Sequence, residues 1–104
     1  MADAYKTLYQ GQLPNAAATL ATVGGAKSWI VKHIGLANNT AGAVTWQLFR
    51  NGTAAANLWI GGSIPANGYA EWDGQEAAAA AETFAGVAGS ATAITVTISG
   101  DEVS

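Results

Sequence analysis

The chain reads as all-β, an antiparallel β-sandwich of jelly-roll character with about eight short strands. Three observations carry that expectation. Apolar residues recur with a period of two in the clearest segments, as a strand with one buried face requires. Turn-forming residues interrupt the chain every ~8–12 residues, which suits a sandwich of short strands. Between those turns lie the β-branched and aromatic residues that fit a pleated surface.

A first strand is expected over 5–13 and a second over 18–23, separated by Pro14-Asn15. Alternation is weakest at the start, so residues 1–13 read as an N-terminal strand or arm. Gly24-Gly25 then break the chain. A long third strand over 27–39 carries Ile30, Ile34 and Leu36 on the parity of Lys32, and Trp29, Val31 and His33 on the other. Both faces are thus partly apolar, as in a central strand or one whose outer face meets another subunit. Gly35 inside it marks a bulge or a close backbone approach.

Asn38-Asn39-Thr40-Ala41-Gly42 is turn chemistry, and it predicts a hairpin into a fourth strand over 44–50 with Val44, Trp46 and Leu48 inward. Asn51-Gly52 supplies the positive φ values of the next tight turn. A fifth strand covers 57–60 and stops at Gly61-Gly62; Ile64-Pro65-Ala66-Asn67-Gly68 turns into a sixth over 69–72. A last hairpin joins 83–87 to 91–99, where Ile94, Val96 and Ile98 face one side and Thr95, Thr97 and Ser99 the other. The alanine run from Ala77 to Ala81 has high helix propensity. It is far shorter than the ~12–15 residues of a stable isolated helix. One helical turn, or a compact loop crossing between the sheets, is expected there.

Composition narrows the function. The 104 residues form a single domain by length. Charged residues make up 11% and hydrophobic ones 50%, against the roughly 25–35% charge of an ordinary soluble surface. No apolar run approaches the ~18–20 residues of a membrane-spanning helix. A chain so poor in charge is expected to hide surface against other protein copies. Without cysteine there are no disulfides and no thiolate metal sites. The start, Met1 to Lys6, lacks a basic and then apolar leader, so no secretory signal is expected. Lys6, Lys27, Lys32 and Arg50 are scattered, which argues against nucleic acid as a partner. Asp101 and Glu102 read as a solvated tail.

Motifs for chemistry are sparse. His33 is the lone histidine, with no nucleophile motif around it, and reads as an imidazole on a strand face. Glu71 and Asp73 share a parity, and with Glu76 they flank Gly74. Two acids on one face can converge on a cation. A hard cation wants about six oxygens, and the calcium-loop pattern is missing, so a solvated strand end is the expectation. Gly24-Gly25-Ala26-Lys27-Ser28 lacks the rest of a phosphate loop. Asn38-Asn39-Thr40 and Asn51-Gly52-Thr53 match the glycosylation pattern, which means little without a secretory signal. Of the four tryptophans, Trp46 reads as core, while Trp29 and Trp59 read as contact residues together with Tyr5, Leu8 and Tyr9. Tryptophans serving as sugar-stacking platforms make a carbohydrate-binding module the alternative of another class. No catalytic, cofactor-binding or metal-ligating residue is expected.

One resemblance spans nearly the whole chain. It is carried by Gln10-Gly11-Gln12-Leu13-Pro14, Ala18-Thr19-Leu20, Gly25-Ala26-Lys27 and Ile30-Val31-Lys32-His33-Ile34. Leu36-Ala37-Asn38, Leu48-Phe49-Arg50-Asn51-Gly52-Thr53, Glu71-Trp72-Asp73-Gly74 and Ile94 to Gly100 continue it. The order of these pieces resembles small tailed-phage virion proteins, which are head-decoration, neck or tail accessory subunits of β-sandwich character. The alanine run departs from that pattern, where an apolar strand and a Gly-Asp turn follow the Trp-Asp-Gly. The resemblance implies a non-enzymatic structural component of the virion, foremost a capsid decoration protein, with a tail or neck subunit as the alternative. It implies assembly in the host cytoplasm and virion proteins as partners, either the major capsid protein or tail and neck proteins. A homo-oligomer, as a trimer or another cyclic form, is expected. It transfers no active site.

Overall fold

A computed structural model describes residues 3–103. Met1 and Ala2, on which the expectation of no secretory signal partly rests, lie outside the described residues. The strands are β1 (Asp3–Gln12), β2 (Ala18–Thr22), β3 (Ser28–Asn38), β4 (Val44–Arg50), β5 (Leu58–Ile64), β6 (Tyr69–Ala78), β7 (Thr83–Ala88) and β8 (Ile94–Val103). A single 3-10 turn, Ala55–Asn57, precedes β5.

Sheet 1 has the order β1-β8-β3-β6 and sheet 2 the order β2-β7-β4-β5. All the pairings are antiparallel, and β1 joins β8, β2 joins β7, β3 joins β6 and β4 joins β5. The first strand thus meets the last, and the pairs nest inward to a central hairpin. That is the pattern of one long hairpin rolled into two facing sheets, the jelly roll. The sandwich class and strand number expected from the sequence both hold.

Two connections differ from expectation. Segments 38–44 and 88–94 do not close hairpins: β3 and β8 lie in sheet 1, β4 and β7 in sheet 2. Turn residues reverse the chain equally well within a sheet or across the gap, so turn chemistry cannot tell a hairpin from a crossing. The fifth strand runs through Gly61-Gly62 to Ile64 because both glycines pair with β4, opposite Gln47 and Trp46. Of the N-terminal segment, Asp3–Gln12 form a strand, the first of the two forms expected, with β1 paired to β8 from Asp3↔Val103 to Gln12↔Thr95. Asp101 and Glu102 are likewise part of β8, not a tail. Lys32 Nζ lies 2.9 Å from Asp101, and Lys6 Nζ lies 3.3 Å from Glu102.

The alanine run splits. Ala77 and Ala78 end β6, and Ala79 to Glu82 form a compact turn crossing to sheet 2, the second of the two forms expected. The Glu82 amide donates to the Ala79 carbonyl at 3.1 Å, and Ala81 takes a left-handed φ of 71°. No helical turn forms, because the Glu82 carboxylate takes the Ala79 amide at 2.6 Å and locks the reversal.

Sheet 1 carries a line of register shifts, at Thr7/Tyr9 in β1 and at Val31/His33 in β3. This explains the two apolar faces of the third strand. Trp29 and Val31 point inward before the bulge, and Ile34 and Leu36 point inward after it. The bulge residue is Lys32, and Gly35 marks neither a bulge nor a tight backbone approach. The close approach is instead at Gly100, where an added Cβ would stand 2.1 Å from the Ile30 carbonyl oxygen.

The core joins both sheets through Val31, Ile34, Leu36, Leu48, Ile64, Phe84, Ile94, Val96 and Ile98. At one end the rings of Trp29, Phe84, Trp59 and Trp72 pack in series across the gap between sheets, with centroids 5.1–5.8 Å apart. Such contacts add to the area term of burial. Arg50 closes this end. Its guanidinium sits 4.7 Å from the Phe84 ring centre, pairs with Glu76 of β6, and reaches Glu82 at 3.6 Å.

At the other end, buried Asn38 ties two crossings together. Its amide nitrogen donates to the carbonyls of Gly42, Ile64 and Pro65 at 2.9–3.2 Å. Its oxygen accepts from the Thr40 amide and hydroxyl at 2.9 and 2.7 Å. An amide side chain is the one neutral group that offers both two donors and an acceptor there.

Candidate functional site: an uncharged sheet face

The charged residues are divided unequally between the sheets. The strands of sheet 1 carry Asp3, Lys6, Lys32, Glu71, Asp73, Glu76, Asp101 and Glu102, while those of sheet 2 carry only Arg50. Arg50 is turned inward, with its side chain 13% exposed and its charge taken up by Glu76 and Glu82. The outer face of sheet 2 therefore presents no charged strand residue.

That face follows from the alternation. In β4, Val44, Trp46 and Leu48 are buried, so Thr45 and Gln47 project outward. Gly61 lies opposite Gln47, and Val87 lies opposite it on the other side. A shallow groove of about 720 Å3 crosses the surface, lined by Thr45, Gln47, Gly61, Gly62 and Val87. Leu58 at one end, and Asn15 and Gly89 from neighbouring loops, complete it. The absence of side chains on Gly61 keeps it open, because an added Cβ would stand 2.9 Å from the Trp46 carbonyl. With strands ~4.8 Å apart and ~3.3 Å per residue, four strands of about seven residues span roughly 19 by 23 Å.

The five expected contact residues are distributed differently. Tyr5 is exposed on edge strand β1. Leu8 and Tyr9 pack against the core. Trp29 is a correction: it is 6% exposed, stacks on Phe84, and gives its indole N–H to Glu102 at 3.0 Å. It has almost no surface left for another chain, because the bulge turns its parity inward. Trp59 is partly buried in the same aromatic series. Trp46 is core, as expected. The exposed large apolar side chains are Tyr5, Leu58 and Tyr69, so among the described residues no tryptophan stands free as a stacking platform.

On the opposite face, His33 of β3 meets two acids of β6. Its Nδ1 lies 2.7 Å from Asp73 Oδ1, and its Nε2 lies 3.6 Å from Glu71 Oε2. Glu76 pairs with Arg50 instead, because its parity is opposite to that of Glu71 and Asp73 and turns it inward, across from Val31. Two carboxylates elsewhere are held below their ordinary range. For Glu82 the main cause is the hydrogen bond from the Ala79 amide, and the Asn51 side chain adds to it. For Glu102 it is the Trp29 indole first and Lys6 second.

The uncharged face of sheet 2 has no single-residue motif in the sequence. Its signal is the run of uncharged strands at 18–22, 58–64 and 83–88, legible only once strands are grouped by sheet. Neither a protein-family model nor a curated protein sequence matches the chain.

Proposed function

We propose that the chain is a non-enzymatic structural subunit that assembles on a tailed-phage particle through the outer face of sheet 2. The observation that carries this reading is the exclusion of charge from that face in a chain whose net charge is −3. Cores of protein interfaces are depleted of charge, because desolvating an unpaired ion costs far more than desolvating Thr, Gly or Val. Elsewhere two copies would bring carboxylates together; here they would not. A jelly roll is also an architecture used for viral capsid domains, in keeping with the resemblance to head-decoration subunits.

The face is somewhat small for a contact that stands alone, since a standard interface buries ~800 Å2 of accessible surface per partner. A symmetric set of copies, such as a trimer, gains from avidity instead. Capsid decoration is the favoured location, and a neck or tail position uses the same surface. The burial of Trp29 and Trp46, and the packing of partly buried Trp59 and Trp72 against the core, weigh against the carbohydrate-binding reading.

Solution mass measurement, with and without purified capsids or tails, tests this. The expected result is a homo-oligomer or a particle-bound protein, and loss of that state in Gln47→Glu, which puts a charge at the centre of the face. A strict monomer that binds neither particle would overturn the assembly role. An oligomer indifferent to Gln47→Glu would overturn the choice of face.

A further inference from the structure

The geometry points to a divalent transition-metal site on the outer face of sheet 1, in which His33 Nε2 and Glu71 hold a zinc-class ion and Asp73 positions the imidazole. The register builds it. His33 stands opposite Asp73 on the neighbouring strand, and Glu71 stands opposite Gly35. Because Gly35 has no side chain, Glu71 leans across it to reach the imidazole. The position a Cβ at residue 35 would take is 3.6 Å from Nε2, so the glycine leaves that side of the ring open.

The two contacts of His33 differ in kind. Nδ1 at 2.7 Å from Asp73 Oδ1 is a charge-assisted hydrogen bond. A carboxylate only accepts, so Nδ1 donates to Asp73, and in the neutral form of the ring Nε2 presents its lone pair on the other side. Nε2 at 3.6 Å from Glu71 Oε2 is too long for a hydrogen bond. It is the right separation for two ligands of one ion. Atoms each ~2.0–2.2 Å from a tetrahedral zinc stand roughly 3.3–3.6 Å apart. A carboxylate that fixes the tautomer and orientation of a ligating histidine is the usual supporting partner in such sites.

Imidazole with carboxylate suits zinc, copper or nickel better than calcium or magnesium, which prefer oxygen alone. Two protein ligands make a weak, exchangeable site. A groove of about 260 Å3, lined by His33, Glu71, Gly35, Tyr69, Thr95 and Thr97, has room for the water or external donor that completes the coordination. This face is opposite the surface proposed for assembly, so the two readings stand or fall separately.

Tag-free protein titrated with zinc chloride at neutral pH tests the site. The chain has one histidine, so long-range 1H–15N spectra show a single imidazole. The expected result is a saturable 1:1 shift centred on Nε2, with a rise in melting temperature by mass action. His33→Ala and Glu71→Gln each weaken binding more than about tenfold, and Asp73→Asn weakens it about 10–100-fold. All three side chains are at the surface, and circular dichroism shows whether each variant keeps its fold. An imidazole unmoved by millimolar zinc overturns the proposal. So does a Glu71→Gln variant that titrates like the wild type, which reduces the binding to a lone surface histidine.

Discussion

Replacing Asn38 by alanine tests the reasoning about how the two sheets are held at one end. The side chain makes five hydrogen bonds to backbone and side-chain groups of two crossings. Its loss strands at least two of those partners. The Ile64 carbonyl is the worst placed, since that bond is buried, and the Thr40 amide is next. Each stranded group costs ~1–3 kcal/mol, and the more exposed Gly42 and Pro65 carbonyls find water at less expense. The sum is about 3–4 kcal/mol, a large part of the ~5–15 kcal/mol that holds a domain of this size. At ~4–8 °C per kcal/mol the melting temperature falls by roughly 12–30 °C. Urea denaturation read by tryptophan fluorescence, with scanning calorimetry beside it, measures both quantities. Asn38→Asp sharpens the test, because its carboxylate faces three carbonyls and has no proton to give. Its folded pKa is therefore raised, so this variant gains stability as pH falls toward about 4. A loss below about 1 kcal/mol in Asn38→Ala, or an Asn38→Asp variant that is most stable at neutral pH, refutes the account.

Gly100→Ala places a methyl 2.1 Å from the Ile30 carbonyl oxygen and 2.9 Å from the Val31 Cα. Backbone must move, so calorimetry is expected to show a loss of at least ~2–3 kcal/mol, whereas Gly35→Ala, whose methyl would meet the His33 imidazole at an ordinary contact distance of 3.6 Å, costs less than about 1 kcal/mol. Arg50→Met keeps the stem near Phe84 but removes the cation from Glu76, while Glu82 keeps the Ala79 amide and the Asn51 side chain. The cost in chemical denaturation is about 2–3 kcal/mol, below the range for a fully buried pair because both acids are about one-third exposed. Acid stability follows from Glu82 and Glu102, whose folded pKa values lie below 4.5. Their contribution is present above about pH 4.5 and is lost as pH falls through the folded values. Thermal melts of Glu82→Gln and Glu102→Gln are expected to show a flatter acid limb than the wild type, and an unchanged limb in both would contradict the assignment.

Local chemistry made much of the fold legible. The alternation of β8 is unbroken from Ile94 to Ile98, and β4 is found at the residues its pattern marks, because Val44, Trp46 and Leu48 fill one buried face. Asn51 adopts φ 61°, as expected, although the connection it opens is a loop over 51–57 with a 3-10 turn and not a tight turn. The bulges were not legible. A register shift at Lys32 flips the parity within β3, so a strand with one buried face reads as a strand with two. That inversion is also why Trp29 resembles a contact residue in sequence and is core in three dimensions. The alanine run was ambiguous for a related reason. Alanine favours helix on its own, but Glu82 captures the Ala79 amide and the turn wins.

The sequence by itself determined the class of fold, the short strands and the scarcity of charge, since these depend on residue type and spacing along one chain. Only the tertiary structure decided which strands share a sheet. That partnering turned two expected hairpins into crossings and collected the charge on sheet 1. It also brought His33 beside Glu71 and Asp73, some forty residues away along the chain. The physical reason is that a strand's own pattern specifies which face is buried, whereas its neighbours are chosen by register and packing across the whole sandwich.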